Sequence, residues 1–417
     1  MRVTILHPDL GIGGAERLIV DAAIALQNNG HTVKVVTNQF DASHSFKECS
    51  KLDILPVFSW VPRSAFGVCK AAFAYLRMCL AAFYICLCMD QDVILCDQIS
   101  AALFVLRPLS KARLVFYCHF PDLLLTDRNS FWKATYRRVI DTLEETSIGL
   151  ADVILVNSNF TASIVRRTFP RLAARRLSVL YPSLNTQFFD TAEEHQPAKL
   201  IKDEGLCEHL FVSINRFEAK KEIHLAIEAF LELGSRMSPA EFLRCQLVIA
   251  GGYDKRNEEN LIVFRNLRDK ALDRGLSSRQ HFFLQSPSDE EKVWLLRHAR
   301  AVLYTPSREH FGIVPVEAMY CGAPVIAMNS GGPRESIDNG KTGFLVDRDP
   351  VEKCVKRMAD CMYQLIADKN LRSSMSTEGP LRVKRLFGFE AFARKLKAEI
   401  TGNDEVHEDT VGGSGDE

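Results

Sequence analysis

Short apolar runs alternate with helix-length segments along the whole chain, and the pattern is played through twice. In the first half the runs are Val3–Leu6, Val33–Thr37, Ile54–Val57, Val93–Cys96, Leu114–Cys118 and Val153–Val156. In the second they are Phe211–Ile214, Leu247–Ala250, His281–Leu284, Ala301–Tyr304, Pro324–Ala327 and Phe344–Val346. Runs with so little internal polarity suit strands covered on both faces, the signature of a parallel sheet flanked by helices. The chain has 417 residues, more than one hydrophobic core serves, so the expected class is α/β with two doubly wound domains. The first is expected over 1–185 and the second over 206–380, with a polar, proline-broken hinge from Tyr181 to Gly205. A last helix pattern, 381–400, is expected to complete the first domain. The Gly- and acid-rich tail 401–417 reads as disordered.

Composition excludes several functions. Lys+Arg and Asp+Glu number 52 each, so the basic surplus of a general nucleic-acid binder is missing. Twelve cysteines include no Cys-x-x-Cys pair, and seven crowd between Cys49 and Cys118, which suits neither a zinc site nor a disulfide framework. Buried thiols in a reducing compartment are expected. The opening run Arg2-Val3-Thr4-Ile5-Leu6 reads as a strand and not as a secretion signal.

Ligands of open α/β sheets bind beyond the carboxyl ends of the strands, so residues just after the runs carry the chemistry. After the first run stands His7-Pro8-Asp9-Leu10-Gly11-Ile12-Gly13-Gly14-Ala15-Glu16-Arg17. Gly13 and Gly14 there would let backbone amides at a helix N-terminus approach an anion, or else serve helix–sheet packing alone. A dinucleotide fingerprint fails, because Glu16 holds the third glycine position and no acid ends the second run. After Phe211–Ile214 come Arg216, Lys220 and Lys221, cations suited to a diphosphate or to a solvated loop.

After Ala301–Tyr304 comes Thr305-Pro306-Ser307-Arg308-Glu309-His310-Phe311-Gly312-Ile313-Val314-Pro315-Val316-Glu317. With Pro315 opening a helix, Glu309 lies in the loop and Glu317 in the first turn, with the Ile313 and Val314 amides between them. Two carboxylates beside an amide cluster suit sugar hydroxyls and phosphate together, while either acid alone reads as Glu317 complementing the helix dipole and Glu309 decorating the surface. Asp347-Arg348-Asp349 resembles a metal-binding Asp-x-Asp, but Asp349-Pro350 reads as a helix start, so no metal site is expected.

The ordered set of Gly13-Gly14-Ala15-Glu16, Arg216 with Lys221, Glu309 with Glu317, and Gly331-Gly332-Pro333 resembles the retaining GT-B glycosyltransferases of the glycogen-synthase-like superfamily. His7-Pro8-Asp9-Leu10-Gly11, Tyr117-Cys118-His119-Phe120-Pro121-Asp122 and Glu309-His310-Phe311-Gly312 are similar to the eukaryotic α-1,3/1,6-mannosyltransferases of dolichol-linked oligosaccharide synthesis. The resemblance spans about residues 1 to 400. It implies two Rossmann-like domains facing a cleft and transfer of mannose from GDP-mannose, with retention, to a dolichyl-diphosphate oligosaccharide. No metal cofactor is implied.

By the same resemblance Glu309, His119, Lys221 and Arg216 are catalytic. Gly13, Gly14, Arg216, Lys221, Glu309, Phe311, Gly312, Ile313, Val314 and Glu317 bind the donor. The family pattern departs at Glu222, where glycine usually follows the second cation. A related enzyme using another nucleotide sugar (transferase or epimerase) and a non-catalytic scaffold of the same fold are the alternatives.

Ala71 to Met89 is apolar apart from Arg77. Two placements stay open: a buried helix, or one lying in a membrane interface. Leu123, Leu124 and Leu125, followed by Trp132 and Lys133, set an apolar loop beside aromatics and bases, suited to a lipid headgroup layer and a polyprenyl-linked acceptor, or else to an amphipathic surface helix with a solvated basic face. The expected place is the cytosolic face of the endoplasmic reticulum membrane, with other glycosyltransferases of the pathway as partners.

Overall fold

The structure, a computed structural model, describes residues 1–64, 70–121, 124, 131–198, 207–277 and 279–402, without the side chains of 70 and 131–139. Leu123, Leu125, the side chains of Trp132 and Lys133, and the tail beyond Gly402 lie outside the described residues. The chain divides into two compact units: Met1–Ser183 with the chain from Phe389 onward, and Leu184–Gly388.

In the first unit seven parallel strands are ordered β3-β2-β1-β4-β5-β6-β7. They are β1 (Arg2–Leu10), β2 (Thr32–Phe40), β3 (Asp53–Pro56), β4 (Val93–Asp97), β5 (Arg113–Cys118), β6 (Val153–Val156) and β7 (Leu177–Val179). In the second, six parallel strands are ordered β10-β9-β8-β11-β12-β13. These are β8 (His209–Ile214), β9 (Cys245–Gly251), β10 (His281–Gln285), β11 (Ala301–Tyr304), β12 (Val325–Met328) and β13 (Gly343–Val346). All residues of β4, β9, β11 and β12 are buried, which explains their unbroken apolar character. The helices over them are amphipathic. Val351–Ala367 buries Cys354, Met358, Met362 and Leu365 at steps of three and four, each buried side chain contributing about 1.5–3 kcal/mol.

Five features differ from expectation. β1 runs on to Leu10 through Pro8. It pairs with β4 only over Val3–Leu6, while β2 follows it to Leu10, so the missing N–H of Pro8 costs no ladder bond on the open side. The edge strand β7 is too short to show in the sequence. The helix expected over 381–400 is two helices, Lys369–Phe387 and Phe389–Thr401, parted at Gly388. Thr401, counted with the tail, ends the second of them. The expected hinge is packed in its first half. Leu184 N–H donates to Phe387 O at 2.7 Å, and Tyr320 Oη donates to Asp190 Oδ1 at 2.7 Å.

Each sheet reverses its strand order once, between β1 and β4 and between β8 and β11. The carboxyl ends of the strands there form the crevice in which open α/β sheets take ligands.

The apolar helix spans Lys70–Cys88, and its neighbours β3 and β4 lie in one sheet, so it is not a single membrane crossing. Arg77, Met78, Ala81, Ala82 and Ile85 are buried. Leu76, Phe83 and Leu87, at steps of seven and four on another face, are exposed by 48%, 48% and 68%. The helix is thus part core and part apolar surface. The charge within its apolar stretch is used internally, Arg77 reaching Asp9 Oδ1 at 3.2 Å.

Candidate active site

At the switch point of the second unit, the turn after β8 and the loop after β11 meet. Lys221 Nζ lies 2.5 Å from Glu309 Oε2, with side chains only 11% and 23% exposed. The Lys221 turn is held from below by Thr305, whose hydroxyl donates to Lys221 O at 2.7 Å. Tyr304, at the end of β11, is buried beneath the loop. Burial first, and then the nearby Glu309 carboxylate, push its phenol far above the usual range, so it stays neutral.

Glu317 sits on the helix Ile313–Tyr320. That helix starts two residues before Pro315, so Glu317 is its fifth residue and not in the first turn. Pro315 is tolerated because its N–H would have had no helical partner there. Lys292 donates to Glu317 Oε1 at 2.6 Å, while Oε2 is buried without a partner among the described residues. A buried carboxylate oxygen is costly unless it accepts a hydrogen bond, so Glu317 is primed for an incoming hydroxyl. Lys292 stands on the helix Asp289–His298, started by a capping box of Ser288 and Glu291.

Arg216 shares the loop after β8, but its ion pair is with Glu218 at 3.1 Å, and its side chain is 65% exposed. Gly312 is left-handed and caps the helix whose first amides belong to Ile313 and Val314. The Phe311 ring is buried against Phe387 at 5.7 Å between centroids, so its side chain packs in the core.

The pair Gly331-Gly332 supports this loop from behind. Gly332 N–H donates to Glu309 O at 2.8 Å, and a Cβ on Gly332 would lie 2.1 Å from Phe311 O. On Gly331 it would lie 2.2 Å from Glu309 O.

The departure at Glu222 has a physical form. Its backbone is left-handed, φ 46° and ψ 35°, where glycine is favoured. Arg348 Nη2 reaches Glu222 Oε1 at 2.6 Å, and the Ser307 hydroxyl donates to Oε2 at 2.7 Å. Burial would raise this carboxyl, but these bonds and the guanidinium charge bring it below its ordinary value. The left-handed conformation costs a non-glycine residue about 1–2 kcal/mol, comparable to the worth of a half-exposed ion pair. Glu222→Gly, losing both, is therefore expected to unfold within about 1 kcal/mol of the wild type. Glu222→Ala keeps the strain without the bonds and should be less stable than Glu222→Gly by roughly 1 kcal/mol. Urea unfolding of the three proteins measures the order, and Ala above Gly would contradict it.

Asp347 and Asp349 are engaged separately, Asp347 Oδ1 accepting from Asn329 at 2.7 Å and Asp349 from Arg348 at 2.9 Å. The helix after them begins at Val351 with Pro350 as its cap, one residue later than expected.

At the switch point of the first unit, the glycine turn is Gly11–Gly13 and the helix Gly14–Asn28 follows. A Cβ on Gly14 would meet no atom within 4 Å, so packing within the chain does not require glycine there. Beside it stands a cluster the sequence did not reveal. Asp97, the last residue of β4, is fully buried, with Oδ2 2.8 Å from His7 Nδ1 and Oδ1 2.8 Å from His119 Nε2. Burial would raise Asp97, but the His119 charge and both imidazole bonds outweigh it and hold the carboxyl at about 2. For His119, burial lowers the pKa while Asp97, and more weakly Glu16, raise it further, and the balance is upward. Asn157 Nδ2 donates to His119 O at 3.0 Å and fixes the backbone. Of the apolar loop beyond, Leu124 is described, and it is exposed.

Residues 12–188 match the family Glycosyltransferase Family 4, and residues 193–382 match Glycosyl transferases group 1. The chain is 44% identical over 404 residues to alpha-1,3/1,6-mannosyltransferase ALG2 of Homo sapiens, covering 96% of this chain and 95% of that one. It is 34% identical over 433 residues to ALG2 of Saccharomyces cerevisiae, covering 95% and 84%. Among solved structures, sucrose-phosphate synthase from Thermosynechococcus elongatus superposes with a TM-score of 0.73 at 18% identity, over 96% of this chain and 98% of that one, which shows the shared GT-B fold. The chain belongs to the α-1,3/1,6-mannosyltransferase family of GT-B glycosyltransferases.

Proposed function

We propose that this mannosyltransferase takes mannose from GDP-mannose and adds it, with retention, in α-1,3 and α-1,6 linkage to a dolichyl-diphosphate-linked oligosaccharide. The observation that carries the donor assignment is the Lys221–Glu309 pair, on the same sheet edge as a Glu317 whose buried Oε2 has no partner among the described residues. Lys221 and the more exposed Arg216 neutralise the diphosphate, Lys as a point charge and Arg as a fork. Ile313 and Val314 amides at the helix start add a partial positive charge. Glu317 Oε2 accepts a ribose hydroxyl. Glu309 accepts hydroxyls of the mannose while holding Lys221.

The same-face mechanism lets the departing phosphate take the acceptor hydroxyl's proton. The protein's work is then stabilising charge on the leaving diphosphate, and it needs no metal. Gly13 and Gly14 give the donor close access to backbone amides, and His119 attends the reacting sugar. The exposed face of Leu76, Phe83 and Leu87, with Trp60 exposed by 78%, supports contact with a membrane surface that holds the lipid-linked acceptor. The reading places the enzyme on the cytosolic face of the endoplasmic reticulum, among other glycosyltransferases of the pathway.

Incubation with labelled GDP-mannose and a lipid-diphosphate trisaccharide tests this. Two mannoses, one α-1,3 and one α-1,6, are expected, and no transfer from GDP-mannose would refute it. Glu317→Ala removes a contact made alike in ground and transition states. KM for GDP-mannose should rise about 10- to 100-fold, on the scale of one hydrogen bond to a charged group, with kcat little changed. An unchanged KM would remove Glu317 from the ribose.

A further inference from the structure

Both oxygens of Asp97 are committed, one to His7 on β1 and one to His119 just after β5, in a fully buried position. An ionised carboxylate only accepts, so the nitrogens facing it carry hydrogens. His119 Nε2–H is therefore tied inward. Among the described residues no group bonds His119 Nδ1, and the side chain keeps 25% of its surface exposed. A ring held at one nitrogen by a buried carboxylate and free at the other is the arrangement that fixes tautomer and orientation in acid–base dyads.

We propose that Asp97 is a positioning residue for mannosyl transfer: it anchors His119 through Nε2 and His7 through Nδ1, so that His119 presents Nδ1–H as a charged donor to the reacting sugar and its departing phosphate. This rests on the assignment of His119 to the reacting sugar. The groups that set the charge of His119 are Asp97 at the end of β4, His7 on β1, Glu16 in the first helix and the neutral Tyr117 of β5, whose ring lies 4.7 Å away. The two carboxylates raise the ring's pKa against the lowering effect of burial. The sign follows. An imidazolium held above its ordinary pKa keeps its proton to higher pH than a free histidine and loses it as pH rises through the raised value. Transfer should therefore fall on the alkaline side.

Asp97→Asn in the full chain tests the role. The amide keeps the shape but loses the charge, and it can accept from one imidazole only. An isosteric amide in such a dyad costs on the order of 10⁴-fold in kcat where the histidine is an obligatory base. Here the histidine assists a phosphate leaving group, and about 10²-fold is expected, on the scale of one lost preorganised donor. KM for GDP-mannose should stay within about threefold. The alkaline limb of the kcat profile should move to lower pH, which a merely structural role would not produce. Wild-type kcat with an unmoved profile would overturn the proposal.

NMR titration of the His119 ring in the intact wild type gives a test that needs no variant to fold. A pKa above the ordinary histidine value of about 6.5 supports the coupling, and one at or below it overturns it. A wild type that shows this raised titration but transfers nothing from GDP-mannose refutes the substrate assignment while supporting the Asp97–His119 coupling.

Discussion

Lys221→Ala is expected to lower kcat/KM for mannose transfer by about 10³-fold or more, with the fold intact. Two losses add in the same direction. The diphosphate loses its least exposed counter-charge, an interaction that strengthens as the leaving group gains charge. The Glu309 carboxylate, 2.5 Å from the ammonium in the wild type, loses its counter-charge where an anion must bind, and now repels it. Lys221→Arg restores the charge on a bulkier fork and should recover part of the activity. Glu309→Ala should be comparably damaging through the sugar, and it frees Lys221 from its partner. Steady-state assays of the three variants, with thermal unfolding to confirm folding, decide the matter. Full activity in Lys221→Ala or Glu309→Ala would refute the assignment.

Gly332→Ala should disable the site without touching a proposed ligand contact. The new methyl would lie 2.1 Å from Phe311 O and 2.4 Å from Phe311 Cα, both backbone atoms, so the loop carrying Glu309 must move. Overpacking of this kind costs roughly 1–3 kcal/mol, and the Gly332 N–H to Glu309 O bond is strained with it. We expect a clear fall in melting temperature together with a loss of transfer of about 10²-fold, since a displacement of about 1 Å in a catalytic constellation costs that much. Gly14→Ala is the counterpart. Its methyl meets open space, so stability should hold or rise slightly, while transfer falls because the ligand loses its close approach. Paired melting curves and activities separate the two glycines. A stable, fully active Gly332→Ala would contradict the support assigned to the pair.

Most strands were legible because parallel strands covered on both faces cannot afford polar residues, and β11 starts and ends where its apolar run does. What escaped had a physical reason in each case. β1 continues past Leu6 with a polar rim and a proline, which alternation rules penalise, and only its one-sided pairing makes Pro8 acceptable. β7 has three residues. Of the proposed site, Lys221, Glu309 and Glu317 were visible because they stand in or beside the segments that follow β8 and β11. Lys292 was not, since Asp289-Glu290-Glu291-Lys292 reads as a solvated helix start. Asp97 looked like the polar end of a strand. Its importance comes from His7 and His119, ninety and twenty-two residues away in sequence, which only the strand order β1-β4-β5 brings to it. The ring of Phe311, inside the same conspicuous motif as Glu309, packs against Phe387 in the core.

The account turns on where the donor nucleotide binds, and a crystal structure of the enzyme with GDP tests that most directly. A diphosphate oxygen should lie about 3 Å from Lys221 Nζ, with a ribose hydroxyl donating to Glu317 Oε2. Ordered GDP elsewhere on the molecule, with Glu317 Oε2 still unpartnered, would contradict it.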